Sequence, residues 1–248
     1  MVNIMIPRII WMFWDDVKIP KNIQYIIDHN IKVLVNWEII ILNNKTIHDY
    51  IPKFPRQYNT ITVQQQSDWL RLYLLKTYGG LWSDISIIYN DVTKINDLWE
   101  KSKDYDYTGF YGGKKHNGIY EIIETWFILC KKNSKTVTLW LDEYERAMEE
   151  GFIEYKYRII QEGTLLNKNN PEPNDIYFIV YYCLQHILQN LHEIPKMNLL
   201  NSYDSMFYLT KKCGWKNKTC RRKIFKSKKY KLPYIKLIRA DRKYIKLK

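Results

Sequence analysis

The segment from Ser67-Asp68-Trp69-Leu70-Arg71 to Gly79-Gly80-Leu81-Trp82-Ser83-Asp84-Ile85-Ser86 constrains this chain more than any other. A helical period runs from about residue 64 to residue 78, with Leu70, Leu74 and Leu75 on one face. Gly79 supplies the left-handed conformation on which many helices end. A mostly apolar run, residues 81–88, follows at once, so a helix passes directly into a buried strand carrying one acid and one hydroxyl. The helix sets Asp68 and Arg71 on one face, and the strand end presents Asp84 and Ser86 on one side of the backbone.

The surrounding chain alternates strands and helices. Ile6 to Trp14 reads as a buried strand, Pro20 suits the first turn of a helix holding Ile23, Ile26 and Ile27, and Trp37 to Leu42 reads as a second strand. Asn43-Asn44 can cap a short helix with Ile47 and Tyr50 that Pro52 stops. A short helix is expected around 94–101, strands at 105–111 and 126–130, and amphipathic helices at 134–150 and 176–191. Residues 112–118, which include His116, and 167–173 read as loops. This order predicts an α/β fold, a mostly parallel sheet covered on both faces. Ligands of such sheets lie at the carboxyl ends of the strands, which would let Trp14, Asp15 and Asp84 share a crevice.

Charge divides the chain. The segment from Lys211 onward carries 17 Lys/Arg against one acid, so the first 210 residues are net −3 although the whole is +13. We therefore expect a catalytic-sized domain over 1–210 and a basic tail over 211–248. Apolar residues interleaved at Ile224-Phe225, Tyr230 to Ile235 and Tyr244 to Leu247 favour peripheral docking on an anionic membrane over a purely electrostatic arm. A solvated basic end is the plain alternative, and nucleic acid is disfavoured. No run suits a bilayer span and no secretory leader is visible, so a cytoplasmic protein is expected. Cys130, Cys183, Cys213 and Cys220 have no metal or redox spacing and are expected as free thiols.

Each candidate residue has a bland reading beside the chemical one. Asp68 and Arg71, at i and i+3, are fully explained by an intrahelical ion pair; alternatively Asp68 accepts sugar hydroxyls while the Arg71 fork binds oxygen-rich groups. Asp84 either caps the next turn or joins Ser86 in holding a divalent cation. Trp14 either fills the core or offers a stacking platform for a base. Lys211 and Lys212 either reach a pyrophosphate or simply begin the tail. His116, His186 and His192 carry no assigned role.

Ile6-Pro7-Arg8-Ile9-Ile10-Trp11-Met12-Phe13-Trp14 resembles the opening of glycosyltransferase family 32 and the related capsular polysaccharide synthesis proteins. The Ser67–Ser86 block is similar to their "SDxxR…GGxWxD" core, and Glu124-Thr125-Trp126-Phe127-Ile128 with Lys131 to Ser134 resembles the capsular branch. The resemblance implies a GT-A fold, a UDP- or GDP-linked sugar as donor and transfer of a hexose with retention to a glycan or lipid-linked glycan. Carried over residue by residue, Asp84, Asp68 and Arg71 would be catalytic. Phe13, Trp14, Asp68, Arg71, Ser83 and Ser86 would bind the donor, and Asp84 and Ser86 would hold Mn2+ or Mg2+. The departure is Ser86, where the wider family has a second aspartate; Asp204 is the carboxylate expected to compensate. A toxin-type transferase acting on protein, and a non-catalytic binder with a degenerate metal site, are the alternative functions.

Overall fold

The computed structural model describes residues 5–112, 122–166, 176–227, 232–238 and 241–242; for residues 225–227 it describes the backbone only. The expected loops at 112–118, with His116, and 167–173 fall almost wholly outside these ranges, as does the tail segment 244–247.

The first half follows the predicted alternation. Strand β1 (Ile9–Phe13), helix α1 (Lys21–Val33) after Pro20, and β2 (Glu38–Leu42) lead to a short 3-10 turn, Thr46–Asp49, capped by Asn43 Oδ1. Helix α2 (Val63–Tyr78) starts on a capping box, Thr62 and Gln65 each bonding the other's backbone N–H. Then come β3 (Gly80–Ser83), β4 (Ile87–Tyr89), α3 (Val92–Ser102), β5 (Tyr107–Tyr111) and β6 (Ile123–Cys130). Helices α4 (Lys135–Glu150), α5 (Phe152–Gln161) and α6 (Ile179–Asn190) precede β7 (Met197–Asn201), α7 (Tyr208–Cys213), α8 (Lys218–Ser227) and β8 (Tyr234–Lys236).

Six strands form the main sheet in the order β2-β1-β3-β6-β5-β7. The pairs β2/β1, β1/β3 and β5/β7 are parallel, while β6 is antiparallel to both its neighbours. Five strands therefore run one way and β6 alone runs back, a mostly parallel α/β arrangement consistent with a GT-A-like fold. Side chains alternate across it: Trp11, Phe13, Trp82 and Ile128 face the core under α2, α4 and α6, whereas Ile10, Met12, Leu81 and Phe127 face the core that includes α1 and α3.

The glycine pair has a steric cause. Gly79 and Gly80 have φ of 73° and 97°. A Cβ on Gly79 would meet Lys132 N at 2.5 Å, and one on Gly80 would meet Ile9 O at 2.7 Å. Both contacts are with backbone, so neither can swing aside, and Trp11 Nε1 donates to Gly79 O at 2.9 Å across the turn. Only residues without a Cβ let α2 end this close to the sheet.

Two expectations are corrected here. The run 81–88 is not one strand: Ile87 N donates to Asp84 O at 2.9 Å, and the resulting turn separates β3 from β4. Strand β4 leaves the main sheet and pairs antiparallel with β8, Ile87 opposite Lys236. Nor are all four cysteines free. Cys213 and Cys220 are disulfide-bonded, because the chain reverses at Gly214 (φ 71°) between α7 and α8 and brings their Cα atoms to 5.5 Å. Cys130 and Cys183 are buried thiols.

The boundary expected at 210 falls inside α7. Beyond it, Asn90 N donates to Pro233 O at 2.6 Å, Leu237 N donates to Ser86 O at 2.9 Å, and Arg221 Nε meets Asp241 Oδ2 at 2.8 Å in a buried pair. The described parts of the basic segment are thus packed on the sheet domain. Among the described residues, no helix is long and apolar enough to cross a membrane.

Gly80→Ala should destabilise the fold by about 2–4 kcal/mol, combining the positive-φ penalty with a forced backbone shift. Urea denaturation monitored by circular dichroism checks this; a variant within about 0.5 kcal/mol of wild type would contradict the close-approach account.

Candidate functional site

A cleft of about 880 Å³ opens at one edge of the main sheet, within the range of small-molecule sites. The C-terminal ends of parallel strands build it: Phe13, Trp14 and Asp15 follow β1, and Asp84, Ile85 and Ser86 follow β3. Because β6 runs backwards, its first residues reach the same edge and contribute Glu124, Thr125 and Trp126. Helix α2 adds Gln64, Ser67, Asp68 and Arg71, and Tyr177, Phe178, Tyr181, Phe207, Trp215, Lys236 and Arg242 also line it.

Arg71 is buried and joins three elements. Its Nη1 donates to Thr125 O at 2.8 Å, its Nε to Ser67 O at 3.1 Å and its Nη2 to Ser67 Oγ at 3.2 Å. Nη2 also lies 3.0 Å from Asp68 Oδ1 and 4.0 Å from Asp84 Oδ1, and the guanidinium carbon sits 5.1 Å from the centre of the Trp82 ring. The ion pair with Asp68 is therefore real, yet it satisfies one carboxylate oxygen only. Asp68 Oδ2 is buried without a hydrogen-bond partner among the described residues, on a side chain that lines the cleft. An orphaned buried acceptor is uncommon in folded proteins and invites a ligand donor.

Asp84 and Ser86 converge on a lysine. Lys236 Nζ donates to Asp84 Oδ2 and to Ser86 Oγ, both at 2.6 Å. Asp84 Oδ1 accepts from Trp82 Nε1 at 3.2 Å. Burial alone would raise the Asp84 carboxyl, but the charges of Lys236 and Arg71 and the bonds from Lys236 and Trp82 hold it below the usual carboxylate range. Burial draws the Lys236 ammonium down from the ordinary lysine value, against the pull of Asp84.

The two other carboxyls at this edge behave differently. Burial pushes Asp68 up to about 7, with Arg71 opposing and Asp84 adding. Burial also pushes Glu124 up to about 7, opposed by the bond from Trp126 Nε1 to its Oε2 at 2.7 Å and by Lys236. A carboxyl that titrates near neutrality beside an ionised one is the pattern by which acid and base roles separate.

Most of the residues expected from the sequence meet here: Phe13, Trp14, Asp68, Arg71, Asp84 and Ser86 all line the cleft. Ser83 does not. It points to the opposite face of β3, where its Oγ bonds the Tyr89 hydroxyl at 2.8 Å in a buried position. Asp204 does not either: it sits on an exposed 3-10 turn with its carboxylate 3.4 Å from Lys211 Nζ. Lys211 and Lys212 lie on α7 away from the cleft lining, so among the described residues the lysine that the basic segment brings to the site is Lys236.

Sequence reasoning missed Glu124 and Lys236. Glu124 stood inside a recognised segment, but its position at the cleft depends on β6 being antiparallel. Lys236 is one basic residue among many, and only the β4/β8 pairing distinguishes it.

Among the described residues, no cluster of three or more His, Cys, Asp or Glu could hold a metal ion. The two expected oxygen ligands are already bonded to an ammonium. The donor set offered at Asp84 and Ser86, one carboxylate and one neutral hydroxyl engaged with Lys236, does not fit a divalent cation.

Residues 2–228 match the family described as "Capsular polysaccharide synthesis protein". The chain belongs to that family, and the family, the motif resemblance and the cleft agree on a glycosyltransferase. Among solved structures, the chain aligns with "PaToxG Glycosyltransferase" at 16% identity and a TM-score of 0.40, covering 76% of this chain and 81% of that one. It also aligns with a "glycosyltransferase involved in the glycosylation of the major capsid of PBCV-1" at 12% identity and a TM-score of 0.43, covering 95% and 97%. No curated protein matches it significantly.

Asp68 supplies a pH signature. Its ionisation is disfavoured by the fold, so the cost is absent below about pH 4, where the acid is protonated folded or unfolded, and complete above about pH 7. Asp68→Asn should match wild-type stability near pH 4 and exceed it at pH 8, by on the order of a few kcal/mol. Urea melts at the two pH values check this; a variant no more stable than wild type at pH 8 would contradict it.

Proposed function

We propose that this member of the capsular polysaccharide synthesis family transfers a hexose from a nucleoside diphosphate sugar to a glycan or lipid-linked glycan, with retention of anomeric configuration. The observation that carries the reading is a single juxtaposition. One cleft holds an orphaned carboxylate oxygen on Asp68, suited to sugar hydroxyls, beside a buried ammonium on Lys236, suited to a diphosphate. Trp14, half-buried at the end of β1, offers an aromatic face at the same edge. The net basic charge after residue 210 suits an anionic acceptor or an anionic membrane face.

Under this reading the bond from the anomeric carbon to the diphosphate oxygen breaks, and its electron pair goes to that oxygen. The acceptor hydroxyl attacks from the same face, and its proton passes to the departing phosphate. Asp68 and Arg71 orient the sugar, while the ionised Asp84 fixes the lysine that faces the diphosphate. Metal assistance, expected from the resemblance, finds no fitting donor set at Asp84 and Ser86, and no step here depends on it.

Calorimetric titration with UDP- and GDP-sugars, followed by release of the nucleoside diphosphate, tests the reading. One donor should bind and turn over, and Asp84→Ala should lower turnover by about 100-fold or more, since it leaves Lys236 buried and unpaired. Absence of binding by every nucleotide sugar would favour a non-catalytic binder. Transfer to protein without transfer to glycan would favour the toxin-type alternative.

Glu124 favours a second reading. A half-buried carboxyl at the cleft, pushed up to about 7, is poised to act as a general base on an acceptor hydroxyl, which would give inversion. Proton NMR of the new glycosidic bond separates the two. Retention with Glu124→Gln losing less than about tenfold supports the main reading; inversion with a loss of about 100-fold or more supports the second.

A further inference from the structure

We infer that Lys236 is the built-in cation of this site: held between Asp84 and Ser86, its ammonium stands where a divalent ion would and receives the diphosphate of the donor. The inference rests on the nucleotide-sugar reading above and deepens it.

Geometry places the ammonium at 2.6 Å from both Asp84 Oδ2 and Ser86 Oγ. Those are the two oxygens a metal would need, and each already accepts a charge-assisted bond. The lysine is set by backbone pairing rather than by its flexible stem. Lys236 lies opposite Ile87 in the β4/β8 ladder, its own N–H donates to Met206 O at 3.0 Å, and the next residue, Leu237, donates to Ser86 O at 2.9 Å. Its side chain is only 10% exposed.

Charge balance points the same way. One carboxylate, Asp84, faces one ammonium, and Ser86 adds a neutral hydroxyl, so the trio is net neutral. A dication entering between Asp84 and Ser86 would leave an excess positive charge and would have to displace a buried ammonium from its ion pair. A lysine ammonium has three N–H donors. Two are committed, and the third has no partner among the described residues on a side chain that lines the cleft. When the anomeric carbon–oxygen bond breaks, the diphosphate oxygen gains one negative charge and Lys236 donates a hydrogen bond to that diphosphate. Lys236 keeps all its protons, and the acceptor's proton still goes to the leaving phosphate.

The test is binding of inorganic pyrophosphate, UDP and GDP to the full chain, in EDTA and in Mn2+, together with release of nucleoside diphosphate from the matching sugars. We expect wild-type binding and turnover to be the same in EDTA and in Mn2+. Lys236→Met should weaken diphosphate binding by about 100-fold, and Lys236→Arg, which keeps the charge, should retain most of it. Thermal melts establish that the variants fold. Should Lys236→Met not fold, the wild-type comparison decides alone: full turnover in EDTA supports the inference and loss of turnover overturns it. Binding that requires Mn2+ and survives Lys236→Met overturns the inference while leaving the nucleotide-sugar reading intact. Failure of pyrophosphate and every nucleotide to bind under either condition defeats both.

Discussion

The guanidinium of Arg71 is the joint on which this structure turns. It is buried, and it holds helix α2 to the start of β6 through Thr125 O while sharing its charge between Asp68 and Asp84. Removing an ion from water costs several kcal/mol, so a buried cation is tolerable only where fixed acceptors surround it. The positions of Ser67, Asp68, Asp84 and Thr125 answer that requirement. The same requirement recurs one step along, where Asp84 is shared between Arg71 and Lys236. The cleft is thus a short chain of alternating charges, Asp68, Arg71, Asp84 and Lys236, laid across three parts of the fold.

That chain explains why one reversed strand and a C-terminal addition matter to the site. Strand β6, antiparallel in an otherwise parallel sheet, brings Glu124 and Thr125 to the edge where β1 and β3 end. Strand β8, pairing with β4 outside the main sheet, brings Lys236 over the turn that holds Asp84 and Ser86. The break between β3 and β4 lets β4 leave the main sheet for β8, whose Lys236 then meets both residues. A continuous strand through residue 88 would have kept this stretch in the main sheet and left β8 without its partner.

Local signals carried the first half of the chain well. The apolar run at residues 6–14, the helical period up to residue 78 and the glycine pair at 79–80 are each dictated by neighbours in sequence, and β1, α2 and the turn after it formed within those stretches. The site was legible where it rests on those elements: Asp68 and Arg71 follow from helix periodicity, while Asp84 and Ser86, expected at alternating positions of one strand, reach the cleft from the turn that follows β3. What escaped was long-range. Ser83 and Ser86 look equivalent in sequence, yet strand alternation sends Ser83 to Tyr89 on the far face. Lys236 lies 152 residues from Asp84, and nothing in its local sequence separates it from the other lysines near it. Cys213 and Cys220 pair only because a turn at Gly214 folds α8 back on α7. The apolar residues interleaved in the C-terminal segment suggested docking on a membrane, whereas two of them, Ile235 and Leu237, are buried against the domain itself.

A crystal structure of the chain with a bound nucleoside diphosphate would test the central claim most directly. The account predicts a phosphate oxygen at hydrogen-bond distance, about 2.7–2.9 Å, from Lys236 Nζ, with the base on the Trp14 side of the cleft and the Asp84–Lys236 pair intact. A nucleotide seated outside the cleft, or a divalent ion between Asp84 and Ser86 with Lys236 displaced, would contradict it.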